Sequence, residues 1–219
     1  MLVQIYEVQT PEEAVALVRL GVDHIGVLVG DGMFPRELSI TQTNEIFAAV
    51  PVGRKRVGLS LSANPEEVAR VARETRADII QVQAAIDDFS VAMTRALKTR
   101  FPQIPVMRAI PVINQTSIEI AASYRGVADF LLLDSWDPGT GQFGALGRTH
   151  DWSLSRRIVE NVGIPTILAG GLSPENVAEA IAVVRPAGVD SKTMTDRLDG
   201  SGKDLAKVRA FVAAAKLTK

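Results

Sequence analysis

The 219-residue sequence contains no cysteine, which excludes disulfides, thiolate nucleophiles and Cys-ligated metals together. It has only two histidines, His24 and His150. They lie far apart in sequence with no clustered carboxylates, so no metal site is expected. No apolar run reaches the roughly 18–20 residues that cross a bilayer. Met1 leads directly into a strand pattern, without the basic and then apolar segments of a leader. These absences predict a cytoplasmic protein without a membrane partner. The formal net charge is -1, so no basic footprint for nucleic acid is expected either. With 47% hydrophobic and 22% charged residues, the chain can bury a full core and is not of the disordered class.

What is present is a repeat of form. Short runs rich in Val, Ile and Leu alternate with amphipathic helical patterns along the whole chain. The runs are LVQIY (2–6), HIGVLV (24–29), RVGLSL (56–61), DIIQVQ (78–83), IPVMRAI (104–110), DFLLLD (129–134), IPTILAG (164–170) and AGVDSKT (187–193). Several are almost continuously apolar, as strands buried on both faces of a parallel sheet are. Helical patterns span 11–21, 39–50, 64–74, 89–99, 117–125, 150–162, 173–184 and 202–217. Thr10-Pro11, Asn64-Pro65 and Ser173-Pro174 open three of them with a capping residue and a proline at the first helical position. Eight such units without a linker predict a single (β/α)₈ barrel over residues 1–219. A doubly wound open sheet is the alternative, but VQIYEVQT lacks the glycine fingerprint that usually follows its first strand.

A barrel places its reacting groups at the C-terminal ends of its strands. The seventh strand ends in Gly170-Gly171 before Ser173-Pro174. Paired glycines expose backbone N–H groups and a helix start adds positive charge, which suits a phosphate, although a tight turn alone would also need glycine. Lys192 and Thr193 after the eighth strand can complete that cradle; a solvated lysine is the alternative. Asp134 closes the sixth strand, where partial burial would raise its pKa and fit it for proton exchange. The following loop holds Gly139, Gly141, Gly144 and Gly147 and can close over a ligand. Arg36, after the second strand, can grip a carboxylate through paired hydrogen bonds or sit on the surface beside Glu37. Arg108 lies within the fifth strand among apolar residues, so it must face the barrel mouth or find a partner. His24 sits at a strand start and is expected to be structural; His150, at a helix start, is a weak candidate.

Seven segments occur in a telling order: F-P-R (34–36), V-Q (82–83), L-L-D-S (132–135), G-A-L-G-R-T-H-D-W (144–152), L-A-G-G-L-S-P-E-N-V (168–177), G-V-D (188–190) and K-D (203–204). In this the chain resembles the phosphoribosylanthranilate isomerase family, (β/α)₈ enzymes of tryptophan biosynthesis. The resemblance implies an Amadori rearrangement of a phosphorylated ribose derivative, with no cofactor. It implies a general acid at Asp134, an arginine near the substrate carboxylate at Arg36 and a phosphate loop at Gly170 and Gly171. The departures fall on functional positions. The family's strand-one K-I-C-G-I, whose cysteine is the general base, reads Gln4-Ile5-Tyr6-Glu7-Val8 here. Its Q-L-H-G reads Gln83-Ala84-Ala85-Ile86, and its phosphate-facing S-S-G reads Lys192-Thr193-Met194.

Tyr6 or Glu7 would therefore have to supply the base. A tyrosine that titrates near pH ~10 is a poor one, and strand alternation turns Glu7 away from Tyr6 unless the strand has ended. Arg108 joins Arg36 as an expected substrate contact. The expected partner is a phosphorylated small molecule, with a homodimer possible. The alternative is a divergent barrel acting as another sugar-phosphate enzyme or a non-catalytic binder of phosphorylated ligands.

Overall fold

The computed structural model describes residues 1–218. Its strands are β1 (Leu2–Ile5), β2 (His24–Leu28), β3 (Lys55–Ser60), β4 (Ile79–Val82), β5 (Val106–Pro111), β6 (Phe130–Asp134), β7 (Thr166–Leu168) and β8 (Gly188–Ser191). Helices alternate with them: α1 (Pro11–Arg19), α2 (Ile40–Ala49), α3 (Pro65–Glu74), α4 (Val91–Arg100), α5 (Thr116–Ser123), α6 (Trp152–Val162), α7 (Val177–Val184) and α8 (Leu205–Leu217). The strands pair in chain order and β8 closes on β1, giving the expected (β/α)₈ barrel.

Side-chain alternation sorts the strands into two apolar layers. Ile5, Ile25, Val27, Ile80, Leu131, Leu133 and Leu168 point outward against the helices. Tyr6, Leu28, Val57, Leu59, Ile79, Met107, Ala109, Leu132 and Ile167 fill the barrel itself. Helix starts follow their caps: Thr10 Oγ1 accepts from Glu13 N, and Ser39 and Gln42 form a full capping box. Glu13 does not complete a box at Thr10. Its carboxylate accepts instead from Gln9 N at 2.8 Å and Lys203 N at 2.6 Å, tying the first helix to the end of the chain.

At the N-terminal face one device recurs. Asp23, Asp78 and Asp129 each precede an even-numbered strand, and each accepts from the backbone N–H of the strand before it, at Val3, Arg56 and Val106. Each also pairs with cations, Asp23 with Arg54 and Lys216, Asp78 with Arg56, and Asp129 with Lys98. β8 begins Ala187-Gly188 and has no such carboxylate. Two element boundaries that bear on the site differ from the sequence pattern. α7 begins at Val177 and residues 173–176 form a turn, in which Asn176 accepts from Ser173 N and donates to Gly171 O. β1 ends at Ile5, so Glu7 lies beyond the strand with φ +58°.

Candidate active site at the C-terminal mouth

The parity of β6, β7 and β8 brings Asp134, Ala169 and Asp190 onto the barrel's inner side, with Gly170-Gly171 and Lys192-Thr193 just above. Together they line a narrow cleft, roofed by Ala145, Leu146 and Gly147. Asp134 is buried, and desolvation raises its pKa to about 6, against the backbone N–H of Ser135 and the amide of Gln83, which favour the ionised form. Asp190, two strands along, is buried in the same cleft. Its pKa is raised well above the ordinary value, by desolvation first and by the Asp134 charge second. Its Oδ1 accepts no hydrogen bond. Asp190 does not stand out in the sequence, where Lys192 and Thr193 carry the phosphate expectation. Strand parity is the signal that finds it: in Asp190-Ser191-Lys192 the first and third side chains share a face.

Tyr6 also points inward, over Gly26, where a Cβ would lie 2.4 Å from the tyrosine ring. Its hydroxyl donates to Gln81 Oε1 at 2.5 Å, Gln81 Nε2 donates to Gln83 Oε1 at 2.8 Å, and Gln83 donates to Asp134. Every donor in this chain aims toward Asp134. Burial holds the Tyr6 pKa well above 10.0, with Asp190 adding to the shift. The expectation of Tyr6 as base is therefore corrected: it is the protonated end of a relay that supports a carboxylate.

Glu7 is corrected as well. Its Oε2 lies 3.1 Å from Arg36 Nε and 3.3 Å from Lys192 Nζ, so its charge is engaged by two cations. Arg36 forms no ion pair with Glu37, whose Oε2 instead accepts from Met33 N and Phe34 N. Arg36 Nη2 donates to Glu7 O at 2.9 Å, and Nη1 donates to Gly200 O at 3.1 Å and lies 3.6 Å from Asp196. The guanidinium ties together the loops after β1, β2 and β8.

Arg108 does not face the mouth. It is wholly buried on the outer side of β5, between the inward residues Met107 and Ala109. Its donors go to Val82 O, Ala84 O, Ala85 O, Phe89 O and the Tyr124 hydroxyl. The arginine is charge and scaffold for the β4–α4 connection, and the expectation of a substrate contact is withdrawn.

Gly170 and Gly171 both adopt positive φ, +79° and +62°. The loop between β6 and α6 packs down on them: a Cβ on Gly171 would lie 2.5 Å from the Arg148 carbonyl carbon, and one on Gly170 would meet Ser135 Oγ and His150 Nδ1. Ser135 Oγ donates to Arg148 O and Thr193 Oγ1 to Ala145 O, pinning the same loop. His150 is held neutral, its pKa lowered to about 4 by burial. Its Nε2 meets Ser155 Oγ at 2.7 Å, and its Nδ1 has no partner. His24, as expected, is structural: it is buried with Nδ1 3.0 Å from Gln4 Oε1. Among the described residues, no three His, Asp or Glu side chains converge as a metal site would require.

The family model for N-(5'-phosphoribosyl)anthranilate isomerase matches residues 3–214. The chain belongs to the N-(5'-phosphoribosyl)anthranilate isomerase family. It is 36% identical over 218 residues to the enzyme of that name from Methanocella arvoryzae, covering 99% of each chain. It is 35% identical over 213 residues to that from Rhodospirillum rubrum, covering 94% of each. The solved phosphoribosylanthranilate isomerase from Thermotoga maritima superposes with a TM-score of 0.84 at 30% identity over 99% of both chains. Another solved structure, with reduced 1-(o-carboxyphenylamino)-1-deoxyribulose 5-phosphate bound, gives 0.82 at 28%, over 99% of this chain and 98% of that one. No helix among the described residues is long and apolar enough to cross a membrane.

Proposed function

We propose that this protein catalyses an Amadori-type aldose–ketose isomerisation of an N-substituted 5-phosphoribosylamine. The observation that carries the reading is the cleft that two buried carboxyls, Asp134 and Asp190, line together with a glycine turn and a lysine. Phosphate binds at Gly170 and Gly171, with Lys192 supplying charge and the Thr193 hydroxyl a further donor. The two carboxyls titrate as one coupled unit, so near neutrality the pair can both give and take a proton.

With one proton shared between them, one carboxyl of the pair gives it to the ring oxygen as the C1–O bond breaks, and the nitrogen lone pair forms a C1=N iminium. An ionised carboxylate of the pair then takes the proton from C2, and the released electron pair forms C1=C2 as the iminium pair returns to nitrogen. The enolamine then gains a proton at C1 and loses one from the C2 hydroxyl, giving the ketone. Electrons move only within the substrate, so proton transfers balance the reaction. The 35–36% identical relatives, which bear the isomerase name, support the assignment. A cytoplasmic homodimer is part of the reading; for the dimer, the support is the dimeric enzyme of Thermotoga maritima, from which generated monomers have been solved.

The test is turnover of N-(5-phosphoribosyl)anthranilate and of its carboxylate-free aniline analogue. Measurable turnover of at least one, reduced by roughly 10²–10⁴-fold in Asp134→Asn, is expected, the range of general acid–base catalysis. Turnover of neither by the unmodified protein sinks the reading.

A further inference from the structure

β1 runs between β2 and β8, and Gln4 pairs in register with His24 on one side and Asp190 on the other. Gln4 shares the inner face of β1 with Tyr6, two residues on, and all three polar side chains of this row are buried. His24 Nδ1 lies 3.0 Å from Gln4 Oε1. Burial lowers the His24 pKa to about 4, so near neutrality the ring is uncharged and carries one N–H. Against an amide oxygen that hydrogen sits on Nδ1, which turns the Gln4 Nε2 group toward β8. There Gln4 Nε2 and Asp190 Oδ1 are each buried without a partner, a donor and an acceptor on paired positions of adjacent strands. A hydrogen bond between them satisfies both, and leaving either unmade is costly. The reverse amide orientation would set two acceptors against each other whenever Asp190 is ionised.

The other carboxyl of the cleft is served in the same way. Gln83, oriented through Gln81 by the Tyr6 hydroxyl, donates to Asp134. Each carboxyl of the coupled pair thus has its own amide, anchored at the far end by a neutral donor. The other groups acting on Asp190 are Asp134 from β6, Lys203 ahead of α8, Glu7 after β1 and the Tyr6 phenol. Lys192 lines the same cleft, to which β7 brings Ala169 and Gly170. His24 itself faces Asp23, Lys55 and Asp78 at the barrel floor. Lys203 is committed to Asp196 at 2.6 Å, which leaves the Gln4 amide to meet the unpartnered carboxyl oxygen.

We infer that Gln4 is a positioning residue for Asp190 and that His24 acts through it, its Nδ1–H setting the direction of the amide that holds the ionised carboxyl. This deepens the isomerase reading, on which the kinetic arm of its test rests. Substitutions are made in an Asp134→Asn background, where Asp190 titrates without its coupled neighbour. The Asp190 carboxyl carbon resonance is followed against pH by NMR in the ligand-free, isotope-labelled protein. Gln4→Met, similar in length but without a donor, should raise that titration by about one pH unit, the worth of a hydrogen bond to a charged group. Gln4→Lys, with an ammonium in place of the amide, should lower it. His24→Phe frees the amide to turn and should raise it; His24→Asn supplies an N–H near the place of Nδ1 and should restore it. Gln4→Met with His24→Phe should move it no further than Gln4→Met alone, as for two residues on one path. With Asp134 in place, the pH profile of kcat/KM for N-(5-phosphoribosyl)anthranilate should move in step. An Asp190 titration that stays put in Gln4→Met and Gln4→Lys overturns the inference. So does a His24→Phe variant that lowers the urea midpoint while the titration is unmoved. Shifted titrations without turnover by the unmodified protein overturn the isomerase reading and leave the positioning roles standing.

Discussion

Asp134 shows how a single residue can be chemically useful and structurally costly. Its pKa is near 6 in the fold and near 3.9 in an unfolded chain. Between those values the folded state holds more protons, so stability falls as pH rises through the window. Above it the penalty is about 3 kcal/mol. Asp134→Asn should therefore raise the urea midpoint at pH 7 and leave it nearly unchanged at pH 4, while removing turnover. An equal effect at both pH values would show that the carboxyl is not strained by burial. Asp134 and Gly170-Gly171 were legible in the sequence because a polar residue or glycine pair ending an apolar run marks a strand's functional end. The place of Asp190 and the outward turn of Arg108 were not legible for one reason: both depend on which face of a strand a side chain takes. In β5, Met107 and Ala109 take the inner face, which sends Arg108 outward.

Among the elements, connections carry the site and were the least predictable parts. Eight strands and eight helices could be read from apolar spacing, but the loops that Arg108 and Gly171 organise depend on contacts between segments distant in sequence. Arg108→Met should leave the carbonyls of Ala84, Ala85 and Phe89 short of a donor and cost about 3–5 kcal/mol of stability, the range for breaking a buried charged network. A substrate contact would instead raise KM with stability intact, so denaturation and kinetics together distinguish the roles. Gly171→Ala meets both an unfavourable φ and the Arg148-Thr149 backbone. It should push the β6–α6 loop off the cleft and weaken binding of phosphorylated ligands by about tenfold, a loss of ~1.4 kcal/mol. Unchanged affinity would mean that the glycine turn serves geometry alone.

Across the whole molecule the two ends of the barrel answer pH in opposite senses. At the N-terminal face Arg56 holds the Asp78 carboxyl below its ordinary range through side-chain and backbone hydrogen bonds that outweigh desolvation. Its contribution is present above the unfolded pKa and is lost as pH falls through the folded one. Acid thus loosens the base of the barrel while it relieves the mouth. Asp78→Asn should flatten the decline in urea midpoint below about pH 4, with little effect on turnover at neutral pH. A decline as steep as in the unmodified protein would assign acid sensitivity elsewhere.

The left-handed backbone at Glu7 has an evolutionary consequence. Glutamate and glycine codons differ by a single middle base, and the glycine conformation is already in place. Exchange between the two residues at this turn therefore requires no refolding and no intermediate amino acid, while it removes or restores a carboxylate that holds Arg36 and Lys192.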